Sequence, residues 1–311
     1  MLMQILDPSP QATLQGAPRT GLRDMGVPWS GPADPLSHAI ANHLVGNVLS
    51  ASAIEITFGP FAAHFLKKAE IALSGAEAAA TINGMPVDFH RSLMVRKGDE
   101  IALGRPATGL RTYLAVAGGI SAEMYLGSTS TYLPAGFGGH SGRALRRGDE
   151  LEQGNEQEAI RTELRETPNA IRLPITHAFA LRATAGPDAN DRDTAIWSET
   201  YYVTQRASRI GIELAGKFPA FHSRSNLPSA AVFPGALQLP PQGRGFLLLS
   251  DCQTTGGYPH MLQVNRTDRH LLGQIRPGDS VRFLQRTSEQ AARDLKEKQE
   301  LIGRWLPGFQ L

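Results

Sequence analysis

The sequence predicts a mainly β protein, a β-rich α+β chain with few helices. Three observations carry that expectation. Gly (32) and Pro (21) together exceed the average, which favours turn-rich structure over helix bundles. Short alternating or apolar runs recur between Gly, Pro and Asn-Gly punctuation. Few stretches place apolar residues at helical spacing.

The first helix is expected at 34–47: Asp34 caps free N–H groups, Pro35 suits the first helical position, Leu36, Ile40 and Leu44 share a face, and Gly46-Asn47 ends it. Strands follow at 53–58, 71–73, 79–82, 92–95 and 112–116, with Asn83-Gly84 as a hairpin turn. Three similar punctuations, Arg96-Lys97-Gly98-Asp99, Arg146-Arg147-Gly148-Asp149 and Arg276-Pro277-Gly278-Asp279, each precede an alternating segment and are read as strand starters. The polar stretch 152–169 is a linker candidate, separating an N-terminal β-rich lobe (1–165) from a C-terminal lobe (166–311). In the second lobe, strands are expected at 171–173, 179–183, 236–239, 245–250, 262–264 and 280–285, and a short helix at 188–199. A charged helix is expected at 288–302, with Ala291, Ala292, Leu295 and Ile302 available for packing.

Bulk properties exclude several function classes. Lys plus Arg (31) nearly balance Asp plus Glu (29) without clustering, so no nucleic-acid footprint is present. The single cysteine, Cys252, rules out an internal disulfide framework and fits a reducing compartment. The start lacks a basic n-region, and no run of apolar residues is long enough to span a bilayer, so a soluble cytoplasmic protein without a membrane partner is expected.

Some motifs fall short of chemistry. The segment from Gly211 to Phe218 has the spacing of a phosphate-binding loop, but Phe218 stands where a hydroxyl is needed and Pro219 forbids the following helix; a turn between strands is expected instead. Arg209, just before it, remains able to meet an anion. The nine histidines show no metal-ligand spacing, and no G-x-S-x-G elbow occurs. Cys252 reads as a small buried apolar residue rather than a nucleophile. The densest polar information is Ser250-Asp251-Cys252-Gln253-Thr254-Thr255-Gly256-Gly257-Tyr258-Pro259, which suits equally a ligand-facing loop and a tight turn capped by Asp and Thr. A second cluster, Gly127-Ser128-Thr129-Ser130-Thr131 with Gly138-Gly139-His140-Ser141-Gly142-Arg143, suits a mobile loop, the commoner outcome, or an oxyanion cradle to which Arg143 adds charge.

Taken in order, these segments carry a resemblance. Gly26-Val27-Pro28-Trp29-Ser30-Gly31, Ala41-Asn42-His43-Leu44-Val45-Gly46-Asn47, Glu55-Ile56-Thr57-Phe58-Gly59-Pro60, Tyr113-Leu114-Ala115-Val116-Ala117-Gly118-Gly119, Ser208-Arg209-Ile210-Gly211, Gly235-Ala236-Leu237-Gln238-Leu239-Pro240 and the 251–259 run resemble the biotin-dependent carboxyltransferase family, also called allophanate hydrolase subunit 2. That family includes the C-type component of prokaryotic 5-oxoprolinase and part of the carboxyltransferase domain of urea carboxylase. The resemblance implies a cyclophilin-like barrel in the second lobe and a site shared with a homologous B-type subunit. It implies ligand contacts at Arg209, Gln238, Asp251, Gln253, Thr254 and Tyr258, with Ser128 and Arg143 from the first lobe; Thr255, Gly256 and Gly257 join them as neighbours in the polar run, and Asp251 and Arg209 are the catalytic candidates.

The activity so implied is ATP-dependent opening of 5-oxoproline to glutamate by a complex with A-type and B-type subunits, ATP being handled at the level of the complex. The alternative is carboxyl transfer from carboxybiotin to urea or another small amide, with biotin on a separate carrier because no Met-Lys-Met segment is present. A third reading is a non-enzymatic regulatory partner of the kinase-inhibitor-antagonist type. Two departures bear on specificity. Where similar sequences carry Gln-Asp then Gly-Arg, this chain has Gln15-Gly16 and Pro18-Arg19, and where they carry Gly-Ser-Arg-Ser-Thr it has Thr129. An acid and a base are thereby lost, either as an isolated contact or as a facing pair.

Overall fold

The computed structural model describes residues 1–154, 166–172, 175–190, 194–219 and 227–311. Most of the expected linker, Leu173, part of the expected 188–199 helix and the 220–226 segment lie outside the described residues. The chain forms two compact units. One comprises Met1–Arg19, Asp34–Ile175 and Ile302–Phe309; the other comprises Thr20–Ala33, Thr176–Leu301 and Gln310–Leu311.

The first unit contains β1 (Met3–Asp7), β2 (Gln11–Gln15), α1 (Pro35–Leu44), β3 (Ala53–Thr57), β4 (Phe61–Phe65), β5 (Ala69–Gly75), β6 (Ala80–Ile82), β7 (Met85–Pro86), β8 (Ser92–Val95), β9 (Glu100–Leu103), β10 (Arg111–Val116) and β11 (Glu150–Leu151). They build a six-stranded sheet in the order β11-β1-β4-β9-β6-β7 and a five-stranded sheet in the order β2-β3-β10-β5-β8. Alternation decides what each strand buries. Met3, Ile5, Phe61, Phe65, Ile101 and Leu103 from one sheet share a core with Leu14, Ile54, Ile56, Ile71, Leu73, Leu114 and Val116 from the other.

The opposite face of the five-stranded sheet carries Thr13, Glu55, Ser74 and Tyr113, all buried, and α1 packs on β5, β10 and β3 of that sheet. Buried polar groups need partners. Glu55 accepts from the Tyr113 hydroxyl at 2.8 Å and lies 3.3 Å from Arg111 Nε. The Asp34 N–H donates to Tyr113 Oη at 2.8 Å, while the Asp34 carboxylate caps the helix by accepting from Ser37 N–H at 3.0 Å. Leu36, Ile40 and Leu44 are buried as the periodicity predicts, but so are His38 and Asn42, because the second helix face meets this polar layer rather than water.

The second unit contains β12 (Ala178–Ala185), α2 (Ala195–Ser198), β13 (Tyr201–Ala207), β14 (Gly211–Ala215), β15 (Ala230–Ala231), β16 (Ala236–Gln238), β17 (Gly245–Leu248), β18 (Thr255–Gly256), β19 (His260–Val264), β20 (Ser280–Gln285) and most of α3 (Ser288–Gly303). Seven strands close a barrel in the order β12-β19-β16-β17-β14-β13-β20, sealed by parallel pairing of β12 with β20. The fold is therefore mainly β with few helices and a barrel in the second unit. Closure leaves no edge to protect. The phosphate-loop lookalike is corrected: 211–215 is not a turn but strand β14, paired with β13 and β17, and a Cβ on Gly211 would lie 2.5 Å from the Phe246 ring. Residues 169–171 form a short 3-10 helix instead of the start of a strand. No helix among the described residues is long and apolar enough to cross a membrane.

Candidate functional site

The polar run leaves the barrel at the end of β17. There the Leu249 N–H still donates to Ile210 O at 2.9 Å and the Asp251 N–H to Arg209 O at 2.9 Å. The two side chains complete the pairing: Arg209 Nε donates to Asp251 Oδ2 at 2.8 Å and Nη2 to Oδ1 at 3.0 Å, with 3% and 1% of the respective side chains exposed. Nη2 also reaches Gly31 O at 2.6 Å, and the Ser30 N–H donates to Ser250 O at 3.2 Å. This bidentate pair fastens the 30–31 segment to the polar turn and leaves the pair's net charge at zero. Cys252 follows, fully buried with Val232, Ala236 and Leu248. Burial pushes its thiol up to about 11, so it is protonated at neutral pH and not a nucleophile.

Beyond Cys252 the turn becomes accessible. Gln253, Thr255 and Tyr258 are exposed, Thr254 and Gly257 half-buried. Gln253 Nε2 donates to Gln238 Oε1 at 3.2 Å, and Gln238 Nε2 donates to Tyr258 O at 3.2 Å, so the buried Gln238 amide braces both ends of the turn. A Cβ at Gly256 would sit 2.6 Å from Gln238 Nε2, so a side chain there would displace the Gln238 amide. Residues 255–256 pair as β18 with β15, and the Val232 N–H donates to Thr254 O at 3.0 Å.

Two groups here escaped sequence reasoning. Arg23 donates to Val232 O and, at 3.1 Å, to Gln253 O, while its guanidinium lies 5.2 Å from the Trp29 ring and 5.1 Å from that of Phe233. No local pattern marks it, because Gln253 is 230 residues away. His260 is the cross-strand partner of Gln238. Its Nε2 lies 3.0 Å from Leu262 O, which places the ring proton on Nε2 and leaves Nδ1 basic; burial lowers its pKa. Among the described residues no group of three His, Cys, Asp or Glu is arranged to hold a metal ion.

Ser128 and Arg143 belong to the other unit and are committed within it. Ser128 Oγ donates to Ala17 O at 2.5 Å, and Ser130 Oγ and Thr131 Oγ1 bond Gly16 O and Leu14 O at 3.0 and 2.9 Å. The hydroxyl-rich run is thus a buried seam against the end of β2. Arg143 is bidentate to Asp149 at 2.7 and 2.8 Å, and these hydrogen bonds hold the Asp149 carboxyl down at about 2.

A family model described as carboxyltransferase domain, subdomain A and B, matches residues 25–285. The chain belongs to this family. It is 32% identical over 303 residues to the C-type component of 5-oxoprolinase from Escherichia coli, covering 96% of each chain. It is also 32% identical over 322 residues to urea amidolyase of Lachancea kluyveri, covering 96% of this chain but 17% of that one. The urea amidolyase structure from K. lactis superposes with a TM-score of 0.89 at 27% identity, covering all of this chain and 20% of that chain.

Within the carboxyltransferase family pattern, the two departures turn out to be neighbours. A Cβ on Gly16 would lie 2.2 Å from Thr129 Oγ1, and Thr129 Oγ1 accepts from Ser52 Oγ at 2.6 Å. Positions 16 and 129 therefore face each other.

Proposed function

We propose that this carboxyltransferase-family chain is the C-type component of a 5-oxoprolinase complex, contributing half of a site that is completed by a B-type subunit and in which an A-type subunit takes part. The observation that carries the reading is the correspondence with the E. coli protein over 96% of both chains. The geometry of the turn supports a neutral amide as ligand. Arg209 and Asp251 spend their charges on each other, so the accessible face consists of the Gln253 amide, the Thr255 hydroxyl and the Tyr258 phenol, braced by Gln238. Such groups match the C=O and N–H of a lactam.

Ring opening of a lactam needs carbonyl activation, an oxyanion site and a proton acceptor. We assign Gln253 and Thr255 to the carbonyl side and His260 Nδ1 to the proton, with Asp251 and Arg209 as positioning residues that keep the turn in place. ATP finds no cradle at 211–215, where the backbone is a packed strand. Transfer of a carboxyl group from carboxybiotin to urea is the second reading, favoured by equal identity to urea amidolyase.

The test is reconstitution with A-type and B-type subunits, measuring glutamate released from 5-oxoproline with ATP and, in parallel, urea carboxylation with carboxybiotin. We expect glutamate release, no turnover by this chain alone, and a loss of about tenfold or more in kcat/KM for Thr255→Val, an exposed side chain, with an unchanged thermal midpoint. Turnover of urea but not 5-oxoproline selects the second reading; absence of both, with an intact complex, favours a regulatory role.

A further inference from the structure

We propose that Arg23 is the specificity-determining residue of the polar turn and holds the carboxylate of an anionic lactam; this deepens the 5-oxoprolinase reading above and rests on it. The guanidinium is only partly used. Its Nη2 donates to Val232 O and, at 3.1 Å, to Gln253 O, while Nη1 is buried without a hydrogen-bond partner. An arginine carries five N–H donors, so two carbonyls leave much of this fork unspent. The adjoining Cys252 is a protonated thiol, and its sulfur is a weak acceptor. Nor is the charge neutralised. Among the described residues no carboxylate pairs with Arg23, its neighbour Asp24 included, and the Asp251 carboxylate is consumed by Arg209. The Trp29 and Phe233 rings, 5.2 and 5.1 Å from the guanidinium, hold it in place but carry no charge.

A second cation adds to the field. Arg269 lies within electrostatic reach of Cys252, and its Nε is likewise buried without a partner. Burial, together with the nearby Arg266, lowers its pKa to about 10. Two guanidinium groups without a paired acid therefore act on Cys252, the residue preceding Gln253. A cation out of water without its counter-ion is costly, and a bound anion removes that cost.

Charge and shape select the ligand. A planar fork of donors suits a carboxylate, to which it presents parallel N–H groups. Gln253 joins this cation to the amide face: its backbone carbonyl accepts from Arg23, and its side-chain amide is part of the accessible face braced by Gln238. In 5-oxoproline the ring carbonyl and the carboxylate are carried by the two carbons bonded to the lactam nitrogen. A ligand with an amide and a carboxylate so close together matches an amide face and a cation that share one residue. The face takes the neutral amide and Arg23 the charged end. Urea brings no anion and leaves the guanidinium unpaired, the situation against which polar sites discriminate most strongly.

The experiment uses the reconstituted complex and compares wild type with Arg23→Met and Arg23→Lys on 5-oxoproline and on its carboxamide, in which a neutral group replaces the carboxylate. It measures kcat and KM for each substrate, the dissociation constant of each without ATP, and the KM for ATP. We expect wild type to prefer 5-oxoproline by about tenfold or more, Arg23→Met to lose most of that preference through KM, and Arg23→Lys to keep part of it, because the charge remains without the fork. Loss of the two backbone contacts acts on both substrates alike and cancels from the ratio. The inference is overturned by any of these results: no preference in wild type, a preference that survives in Arg23→Met, equal losses on both substrates, or a change confined to the KM for ATP. Opening of 5-oxoproline with a preference independent of Arg23 sinks this inference alone. An intact complex that neither binds nor opens either substrate sinks the functional reading, and the role of Arg23 with it.

Discussion

Arg209 and Asp251 are 42 residues apart in sequence and share two hydrogen bonds in a nearly dry environment. Removing one partner strands the other charge, whereas replacing both by apolar groups removes the cost along with the benefit. We expect Asp251→Asn to destabilise by about 3–5 kcal/mol and Asp251→Leu with Arg209→Met to recover part of that loss, short of neutrality because Arg209 also donates to Gly31 O, measured by denaturant titration in a double-mutant cycle. A single mutant costing no more than a surface substitution would contradict the buried clamp. Activity lost on changing Asp251 alone therefore reports a displaced turn, whereas the Thr255 variant probes the accessible face. Gly16 and Thr129 form a second coupled pair. Gly16→Asp brings a carboxylate against Thr129 Oγ1, Ser52 Oγ and Ser50 O, at 2.2, 3.2 and 3.3 Å from its Cβ, and should destabilise strongly by itself. Adding Thr129→Arg supplies the opposite charge, and the cycle is expected to return a favourable coupling of about 1 kcal/mol or more. Additivity would mean that the two positions are adjacent without being interchangeable with an ion pair.

The three Gly-Asp turns show where an element is legible from sequence. In each, Asp99, Asp149 or Asp279 accepts from the N–H of the Arg three residues earlier, at 2.7, 2.7 and 2.9 Å, and the glycine holds φ of 96°, 88° or 92°. The facing strand completes an identical pattern each time: Gly98, Gly148 and Gly278 donate to Phe65, Ile5 and Val203, whose N–H groups donate to Asp99, Asp149 and Asp279. All the information lies within four residues, so β9, β11 and β20 were predictable starts. A Cβ on any of the three glycines meets nothing within 4 Å, so Gly→Ala isolates backbone strain. We expect matched losses of about 1–2 kcal/mol in denaturant titrations. Gly142→Ala should cost far more, since its Cβ would lie 1.9 Å from Gly136 O; unequal losses among the three turns would show that packing decides them. Other elements were hidden for the converse reason. Strand β14 is stabilised by β13 and β17, and its Gly-rich edges imitate a phosphate loop. The polar run closing an apolar strand, the candidate site, was legible, but its division into buried clamp and exposed amide face depends on partners distant in sequence.

At the scale of the whole molecule, buried histidines set the response to acid. Burial lowers His38 and His90 to about 4 in the first unit and His270 to about 3 in the second. His38 Nε2 faces Gln15 O at 3.0 Å beneath α1, and His90 Nδ1 lies 3.2 Å from Thr167 Oγ1. Each has a folded pKa below its unfolded value, so between pH 6.5 and about 4 the unfolded chain binds protons that the folded chain refuses. Stability rises with pH wherever the unfolded state is the more protonated, hence these groups destabilise the fold progressively as pH falls through that window. For His38 alone the displacement from 6.5 to about 4 corresponds to about 3 kcal/mol at the acid end. The carboxylates act lower: Asp149, held at about 2 by Arg143, loses its contribution only as pH falls from near 4 toward 2. The expected profile of thermal midpoint is therefore a decline beginning near pH 6.5, well above the carboxylate range, and a steeper one below about pH 4. His38→Gln, whose amide nitrogen takes the place of Nε2 as donor to the Gln15 carbonyl but cannot protonate, should make the upper limb shallower. A midpoint constant between about pH 6.5 and 4.5 in wild type would show that these imidazoles take up protons in the folded state, and an unchanged slope in that variant would assign the decline to His90 and His270 instead.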